Sequence, residues 1–445
     1  MKLFYRGVLL LALASLAGES LEFITNMVLA KELGEQGLGH FMSILPTIFL
    51  IVIIASLELP ISVSKYIAER DERDHHSMLK HAFFLTICCT ALLLALSLVI
   101  LPMLPVFNSY HPLVRWLVIL LIPIIAFTSI ARGYFMGKQQ MGKIAFSNLA
   151  RKIVQLILLT GVYQMFSFSE ETAILVAVAT LIGSEVVVFL YLFTHYVLQF
   201  SRMRKHPESE IPLKDVTVSL AAVSGPATAL RLFHAVTNAV QPFLIKFALV
   251  SSGITSSEAT GQFGILAGVA MTIGFFPGFI AHALLVVLIP TVSESYAKKD
   301  TARLALLLRQ AMLITFCYGV PSVMIAYYFS GPLTELFFQS TSAAAYVKLL
   351  WPTFLFTFFL VPLQAYLIGL GLIKAAFYQS VWATTLSFGL MYMLGSQGTL
   401  QMNGIIIGMN AGSVLLMLLH YFSICRTIGI SLLLTENRFP APFIK

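Results

Sequence analysis

Long apolar runs are the feature that most restricts how this chain can fold. Each run extends over about 20 residues or more, the length a helix needs to cross a hydrocarbon core of about 30 Å. Only 11% of the 445 residues are charged, against about 25% in soluble domains. We therefore predict an all-α integral membrane protein with about twelve transmembrane helices. They are expected near residues 7–30, 41–64, 81–104, 112–134, 143–165, 172–196, 218–248, 261–289, 304–330, 346–371, 373–396 and 403–425.

The basic residues indicate how the chain is threaded through the membrane. If the N-terminus is cytoplasmic, all but five of the 28 Lys and Arg residues fall at cytoplasmic helix ends. Positive residues accumulate in cytoplasmic loops, so we predict a multi-pass protein of the cell membrane with both termini in the cytoplasm. This placement also explains the net charge of +8 without nucleic-acid binding. The five exceptions are Lys31, Arg115, Arg231, Lys246 and Lys348.

The sequence offers little to support an enzyme. It contains no P-loop, zincin or nucleophile-elbow motif, and its predicted outer loops are too short to hold the acid and base groups of a sugar polymerase or ligase. The four cysteines fall in predicted spans and are interpreted as small core residues. His75 and His76 stand in the charged stretch "ERDERDHHSMLK" and are predicted to be solvated. We expect no metal, no cofactor and no catalytic residue.

Three pairs of similar stretches, in the same order, indicate an internal repeat. "ESLEFITN" matches "RLFHAVTN", "LPISVSKY" matches "IPTVSESY", and "YFMGKQQMGKIAF" matches "YLIGLGLIKAAF". Because six helices is an even number, both halves begin on the cytoplasmic side and form a parallel repeat. The predicted organisation is a six-helix lobe at 1–200, a cytoplasmic linker at 201–217, a six-helix lobe at 218–430 and a cytoplasmic tail at 431–445.

The chain also resembles a known group, the polysaccharide and lipid-linked oligosaccharide flippases related to stage V sporulation protein B, within the multidrug/oligosaccharidyl-lipid/polysaccharide exporter superfamily. The similar stretches are 29–41, 132–155, 224–240 and 289–300. The resemblance implies two lobes around a central cavity. It also implies movement of a lipid-linked oligosaccharide or polysaccharide precursor by alternating access, for a cell-envelope or spore-envelope polymer. The alternative is a cation-coupled multidrug antiporter of the same fold.

Two carboxylates lie deep in the first predicted span. At 1.5 Å per residue, Glu19 and Glu22 are about 18–22 Å from its cytoplasmic start, where a charge is costly unless it is paired or lines a water-filled cavity. Their spacing places both on one helix face, with Asn26 a turn further. Either carboxylate is placed to couple transport to H⁺ or Na⁺.

The corresponding stripe of the seventh span is basic. It carries Arg231, His234 and Asn238, and Gln241 and Lys246 continue its polar face. Because a guanidinium fits phosphate oxygens, Arg231 is the first candidate for contact with a diphosphate headgroup, and His234 and Lys246 are lesser candidates. Two hypotheses stay open. Glu19 and Glu22 either hold Arg231 and His234 in permanent ion pairs that lock the lobes, or line a cavity where the substrate competes for these cations.

A second basic group lies at the cytoplasmic end of the fourth and fifth spans. We interpret these residues as signals of membrane topology that also contact anionic lipids, and favour this over a role in capturing the substrate headgroup. Glu185, in the sixth span, is interpreted either as satisfied packing or as cavity lining. The expected partners are a polyprenyl diphosphate-linked sugar and membrane lipids, with the protein acting as a monomer. The basic group comprises Arg132, Lys138, Lys143, Arg151 and Lys152.

Overall fold

A computed structural model of the protein describes residues 2–57, 59–69, 72–203 and 213–431. Apart from short connections, these residues are helical. A 3₁₀ turn follows α3 at Pro105–Ser109, and the helical run from α8 to α10 is interrupted by a π-helical stretch, Ile265–Ala270, and a 3₁₀ turn, Phe276–Gly278. The helices are α1 (Lys2–Ser56), α2 (Leu59–Glu69), α3 (Glu72–Met103), α4 (Leu113–Gly137), α5 (Met141–Met165), α6 (Glu170–Met203), α7 (Leu213–Ser251), α8 (Ser256–Gly264), α9 (Met271–Phe275), α10 (Phe279–Ala297), α11 (Thr301–Tyr328), α12 (Ser330–Phe338), α13 (Ala343–Leu349), α14 (Trp351–Gly369), α15 (Ile373–Gly395) and α16 (Met402–Ile428).

The prediction of an all-α membrane protein is confirmed. Ten stretches of the described residues are long and apolar enough to cross a membrane, and each of the twelve predicted spans falls on helical residues. The count differs for two reasons. The first two predicted spans are continuous in Ser15–Ile67, where the helix is interrupted by a kink at Gly34, whose φ of 66° favours glycine. The second reason is that α15 carries polar side chains and is not apolar enough to be counted among the ten.

Residues 43–239 form one compact unit, in which α4 has the central position. This helix packs against α2, α3, α5 and α6. Its contact with α2 depends on two glycines, because a Cβ at Gly133 would lie 2.8 Å from the Val63 side chain and one at Gly137 would lie 2.5 Å from Ile67. The buried core beside this contact includes Tyr134, whose hydroxyl donates to Gln199 Oε1 at 2.9 Å.

Residues 1–42 and 240–445 form a second compact unit, organised around α14, which packs against α10, α11 and α16. A Cβ at Gly369 of α14 would lie 2.8 Å from Val292 of α10. The buried Tyr366 hydroxyl donates to the Leu304 carbonyl of α11 at 2.7 Å. In each half of the chain, therefore, a helix that ends in Tyr-x-x-Gly packs against a helix that carries a proline: α4 against α2, and α14 against α10. The predicted repeat makes α10 the counterpart of α2 and α14 the counterpart of α4. This agreement supports the repeat.

The two compact units divide inside helices α1 and α7, so each helix contributes residues to both units. The predicted lobe limits at 200 and 218 stay predictions. Of the predicted linker, 204–212 lies outside the described residues, and so does all of the predicted tail except residue 431.

Two interpretations from the sequence are wrong. His75 and His76 are buried, not solvated. The His76 ring stacks on Phe200 with centroids 4.5 Å apart, because residues 72–80 form the start of α3 and pack on α6. Cys88 and Cys317 are exposed on α3 and α11, and so are not core residues. For such spans, hydropathy identifies the helix but not which face of it is buried.

Candidate functional site

The unit formed by residues 43–239 contains a cavity of about 220 Å³ that is lined by charged side chains. Its walls come from six helices. The end of α1 and the start of α2 provide Phe49, Val52, Ile53, Ser56 and Pro60, α4 provides Ile125, Thr128, Ser129 and Arg132, α5 provides Asn148 and Arg151, α6 provides Glu185, and α7 provides Arg231.

Arg151 and Glu185 form an ion pair at this cavity. Arg151 Nη1 lies 3.5 Å from Glu185 Oε1, and the two side chains are 26% and 16% exposed. Charged side chains within membrane-spanning helices usually pair with one another, and this pair follows that rule. The contact joins α5 to α6, which pack closely along their length.

Arg132 forms a hydrogen bond with an amide side chain. Its Nη2 donates to Asn148 Oδ1 at 3.3 Å. Its Nε is buried and has no hydrogen-bond partner among the described residues. A buried guanidinium N–H without an acceptor is costly, so this part of the cavity wall, as far as the chain is described, lacks an acceptor for Arg132.

The charges that line the cavity are unequal. Arg132, Arg151 and Arg231 face one carboxylate, Glu185, so the lining carries an excess of positive charge. Guanidinium groups bind phosphate and carboxylate oxygens through paired N–H donors. The arrangement is therefore suited to an anion, and it disfavours a cation.

The structure brings into one cavity residues to which the sequence had given different roles. Arg231 lines the same cavity as Arg132 and Arg151, which had been interpreted as topological signals. Lys138, Lys143 and Lys152 do not line it. Lys143 instead places its ammonium 4.5 Å from the centroid of the Phe135 ring.

The predicted acidic stripe lies in the other unit, 1–42 with 240–445. There Asn26 Nδ2 donates to Thr272 Oγ1 at 3.4 Å. Glu19 and Glu22 lie on the same helix as Asn26, α1. The pairing of these carboxylates with Arg231 and His234, which belong to the 43–239 unit, stays a prediction.

The remaining predicted residues are all on α7. His234 Nε2 is buried without a hydrogen-bond partner among the described residues. Asn238 is exposed and Gln241 is partly buried. Lys246 places its ammonium 5.2 Å from the centroid of the Phe243 ring. No contact of the described structure assigns any of them to a ligand.

Asn148 and the pairing of Glu185 were missed by sequence reasoning. One signal was available: Arg151 and Glu185 have opposite charge and both fall in predicted spans, where charged residues usually find a partner. Asn148 gives no such signal, because single amides occur throughout the chain.

Comparison with known proteins places this geometry in a family. The family model described as polysaccharide biosynthesis protein matches residues 4–296, and a second model, MatE, matches residues 235–393. The chain belongs to the polysaccharide biosynthesis protein family. Sporulation protein YkvU of Bacillus subtilis (strain 168) is 51% identical, over 98% of both chains. Stage V sporulation protein B of the same organism is 30% identical, over 97% of this chain and 86% of the relative.

Three further matches are to proteins described as transporters or flippases. Lipid II flippase MurJ of Bacillus subtilis (strain 168) is 25% identical over 51% of this chain and 42% of its own length. Among solved structures, an inward-facing multidrug resistance MATE family transporter of the MOP superfamily matches with a TM-score of 0.74 and 16% identity, over 94% of this chain and 98% of that one. A MOP superfamily transporter from Pyrococcus furiosus, described as having a binding pocket of reverse polarity, matches with a TM-score of 0.67 and 16% identity, over 95% of both chains. These structural matches confirm the two-lobed helical transporter fold.

Proposed function

We propose that this protein is a flippase that moves a polyprenyl diphosphate-linked oligosaccharide or polysaccharide precursor across the cytoplasmic membrane by alternating access. No covalent bond changes, so the protein is a transporter and not an enzyme. The observation that carries the proposal is the cavity whose lining includes Arg132, Arg151 and Arg231 and one carboxylate, Glu185.

The charge and size of the cavity support a diphosphate headgroup. Arg132, Arg151 and Arg231 bring three guanidinium groups to the lining, and guanidinium N–H donors suit the oxygens of a diphosphate. A volume of about 220 Å³ is below the usual 300–1,000 Å³ of a whole-ligand pocket. The cavity therefore accommodates the charged part of the lipid, and the glycan extends beyond it.

The family supports the same class of substrate. One relative is named a flippase of lipid II, and two are named sporulation proteins, which favours an envelope or spore-envelope glycan. We further propose two six-helix lobes at 1–200 and 218–430, cytoplasmic termini in accordance with the distribution of basic residues, and a monomer as the working unit. In this proposal Glu19 and Glu22 serve the coupling to H⁺ or Na⁺.

A cation-coupled multidrug antiporter is the second candidate function. The match of residues 235–393 to the MatE model and the similarity to MATE structures favour it. The excess of arginine over carboxylate in the cavity lining disfavours it, because guanidinium groups repel a cationic drug.

Reconstitution in proteoliposomes tests the flippase directly. A fluorescent polyprenyl diphosphate sugar is incorporated, and its appearance in the opposite leaflet is measured with a membrane-impermeant quencher. Arg231→Ala is expected to reduce the rate by about tenfold or more, since losing a charge-assisted hydrogen bond costs roughly 1.5–3 kcal/mol. Arg303→Ala, at an exposed position 4.0 Å from Glu294 on the surface, is the matched control and should keep the wild-type rate.

The outcomes separate the two candidates. Unchanged flipping in Arg231→Ala and Arg151→Ala would show that the headgroup assignment is wrong. Dye efflux from drug-sensitive cells that disappears in Glu19→Gln, combined with no flipping by the wild type, would favour the antiporter.

A further inference from the structure

A short chain of hydrogen bonds joins three helices near the ends of α4 and α6. The Tyr134 hydroxyl of α4 donates to Gln199 Oε1 of α6 at 2.9 Å, and Gln199 Nε2 donates to Gln140 Oε1 at 3.2 Å. Gln140 is the residue directly before α5. The bonds therefore connect the three helices that bring most of the polar side chains to the charged cavity. Those side chains are Thr128, Ser129 and Arg132 of α4, Asn148 and Arg151 of α5, and Glu185 of α6.

The turn between α4 and α5 gives this chain of bonds a fixed reference point. The backbone N–H groups of Gln139 and Gln140 donate to the carbonyls of Met136 and Phe135 at 3.0 and 2.8 Å, so the turn is closed on the end of α4. The described bond of the Gln140 side chain goes to α6 and not to the backbone of its own helix. The position of Gln199 is thus set relative to α4 and α5 together.

Gln199 and Glu185 lie on the same face of α6. They are fourteen residues apart, close to four helical turns and about 21 Å along the axis. Between them on this face lie Val188, Leu192 and Tyr196, which are buried and pack in one core with residues of α2, α3 and α4. The face therefore has an apolar middle and a polar contact at each end.

The apolar middle is a weak determinant of how far α6 is displaced along its neighbours. Burial of hydrocarbon is non-directional, whereas a hydrogen bond weakens steeply when its angle changes. The polar ends set the register: the ion pair of Glu185 with Arg151 at one end, and the bonds of Gln199 at the other. Because a helix moves as a rigid element, a shift that breaks the Gln199 bonds also displaces Glu185 from Arg151.

The predicted repeat offers a comparison. The counterpart of Tyr134 in the second half of the chain, Tyr366, donates to the backbone carbonyl of Leu304 at 2.7 Å. A carbonyl accepts this bond but passes none to a third helix, whereas the Gln199 amide accepts one bond and donates another. The extended arrangement is found in the half that holds the charged cavity, as expected of a contact that serves it.

We propose that Gln199 is a positioning residue of the cavity: it fixes the register of α6 and so holds Glu185 against Arg151. The inference rests on the proposed function and adds to it a residue outside the cavity lining. It has one distinctive consequence. Because Gln199 acts through Glu185, loss of the Gln199 bonds and loss of the Glu185 charge should change diphosphate affinity non-additively.

The experiment is a double-mutant cycle measured as affinity for undecaprenyl diphosphate, on the full chain in detergent. Glu185→Gln is expected to raise the affinity of the wild type by about three- to tenfold. In Gln199→Leu, which keeps an apolar side chain but loses both bonds, the same change should raise the affinity by less than about twofold. Thr194→Leu, at an exposed position of α6, is the matched control and should keep the full effect.

A pair of variants at residue 140 separates the hydrogen bond from the bulk of the side chain. Gln140→Glu still accepts from Gln199 Nε2 and should keep the full effect of Glu185→Gln, whereas Gln140→Leu should reduce it. A merely structural role of Gln199 would lower the midpoint of thermal unfolding in Gln199→Leu and leave the effect of Glu185→Gln unchanged.

The outcomes are distinct. An equal effect of Glu185→Gln in the wild type and in Gln199→Leu overturns the proposal, and so does a Gln140→Glu variant that behaves like Gln140→Leu. If Gln199→Leu does not fold, Tyr134→Phe takes its place with the same expectation, because it loses one hydroxyl and with it one of the two bonds. A wild type that does not bind undecaprenyl diphosphate overturns the proposed function, and this inference with it.

Discussion

Arg151 Nη1 lies 3.5 Å from Glu185 Oε1, and this ion pair occupies one of the three guanidinium groups that line the cavity. A carboxylate in that position does what the phosphate of a substrate would do. It neutralises a partly buried cation, Arg151, whose isolation within the helices would be costly. An anion that binds Arg151 therefore competes with Glu185.

Removal of this competitor is the first prediction. Glu185→Gln keeps the size of the side chain and its ability to accept a hydrogen bond, but loses the charge. We expect the affinity for undecaprenyl diphosphate, measured in detergent, to rise by about three- to tenfold. Glu171→Gln, in the first turn of the same helix and exposed, should change nothing. A folded Glu185→Gln protein with lower affinity would show that the carboxylate supports binding.

The shape of a guanidinium, separate from its charge, is tested at Arg132. Arg132→Lys keeps the charge but loses the planar guanidinium, including the Nη2 that donates to Asn148. We expect about a tenfold loss of diphosphate affinity, because an ammonium lacks the planar fork. The reciprocal control is Lys143→Arg, whose side chain lies on the Phe135 ring. Equal affinity in Arg132→Lys and the wild type would reduce the role of Arg132 to its charge alone.

The sequence predicted the membrane-spanning helices well, for a physical reason. Transmembrane length and apolarity are local properties, so α3, α4 and α11 could be located from hydropathy alone. The joining of the first two spans into one kinked helix was missed, since Gly34 offers no signal that distinguishes a kink from a loop.

The site was predicted only in part. Arg231 was singled out because a cation at that depth needs a partner. Its neighbours in the cavity, Arg132 and Arg151, were assigned to topology, because basic residues at helix ends always permit that interpretation. Which distant side chains meet depends on how the helices pack, and periodicity along one helix does not contain that information.

A close helix contact in the unit of residues 1–42 and 240–445 gives a stability prediction. A Cβ at Gly39 of α1 would overlap the backbone carbonyl of Thr260, and one at Gly264 would lie 2.6 Å from the Gly39 nitrogen. Gly39→Ala should therefore destabilise the protein by about 1–3 kcal/mol, measured as a lower midpoint of thermal unfolding in detergent. Gly161→Ala, with no atom within 4 Å of the new Cβ, should be neutral or slightly stabilising. Equal midpoints for the two variants would contradict the close contact.

The break between α13 and α14 gives the last prediction. Asn410 of α16 bridges it: its Oδ1 accepts from the Thr353 backbone N–H at 3.1 Å and from the Thr353 hydroxyl at 2.6 Å, and its Nδ2 donates to the Leu349 carbonyl at 2.9 Å. The first N–H groups of a helix and the last carbonyls of the one before have no partners within their own helices, so Asn410 caps both ends from a distance.

Asn410→Ala removes all three bonds and leaves these groups without partners in an apolar setting. We expect it to lower the stability by about 1–3 kcal/mol, again measured from thermal unfolding in detergent. Asn403→Ala is the control, because that residue is exposed on the same helix. Asn410→Asp should recover part of the loss, since a carboxylate still accepts both bonds from Thr353 but cannot donate to Leu349. A midpoint for Asn410→Ala equal to that of Asn403→Ala would show that the break is held by packing alone.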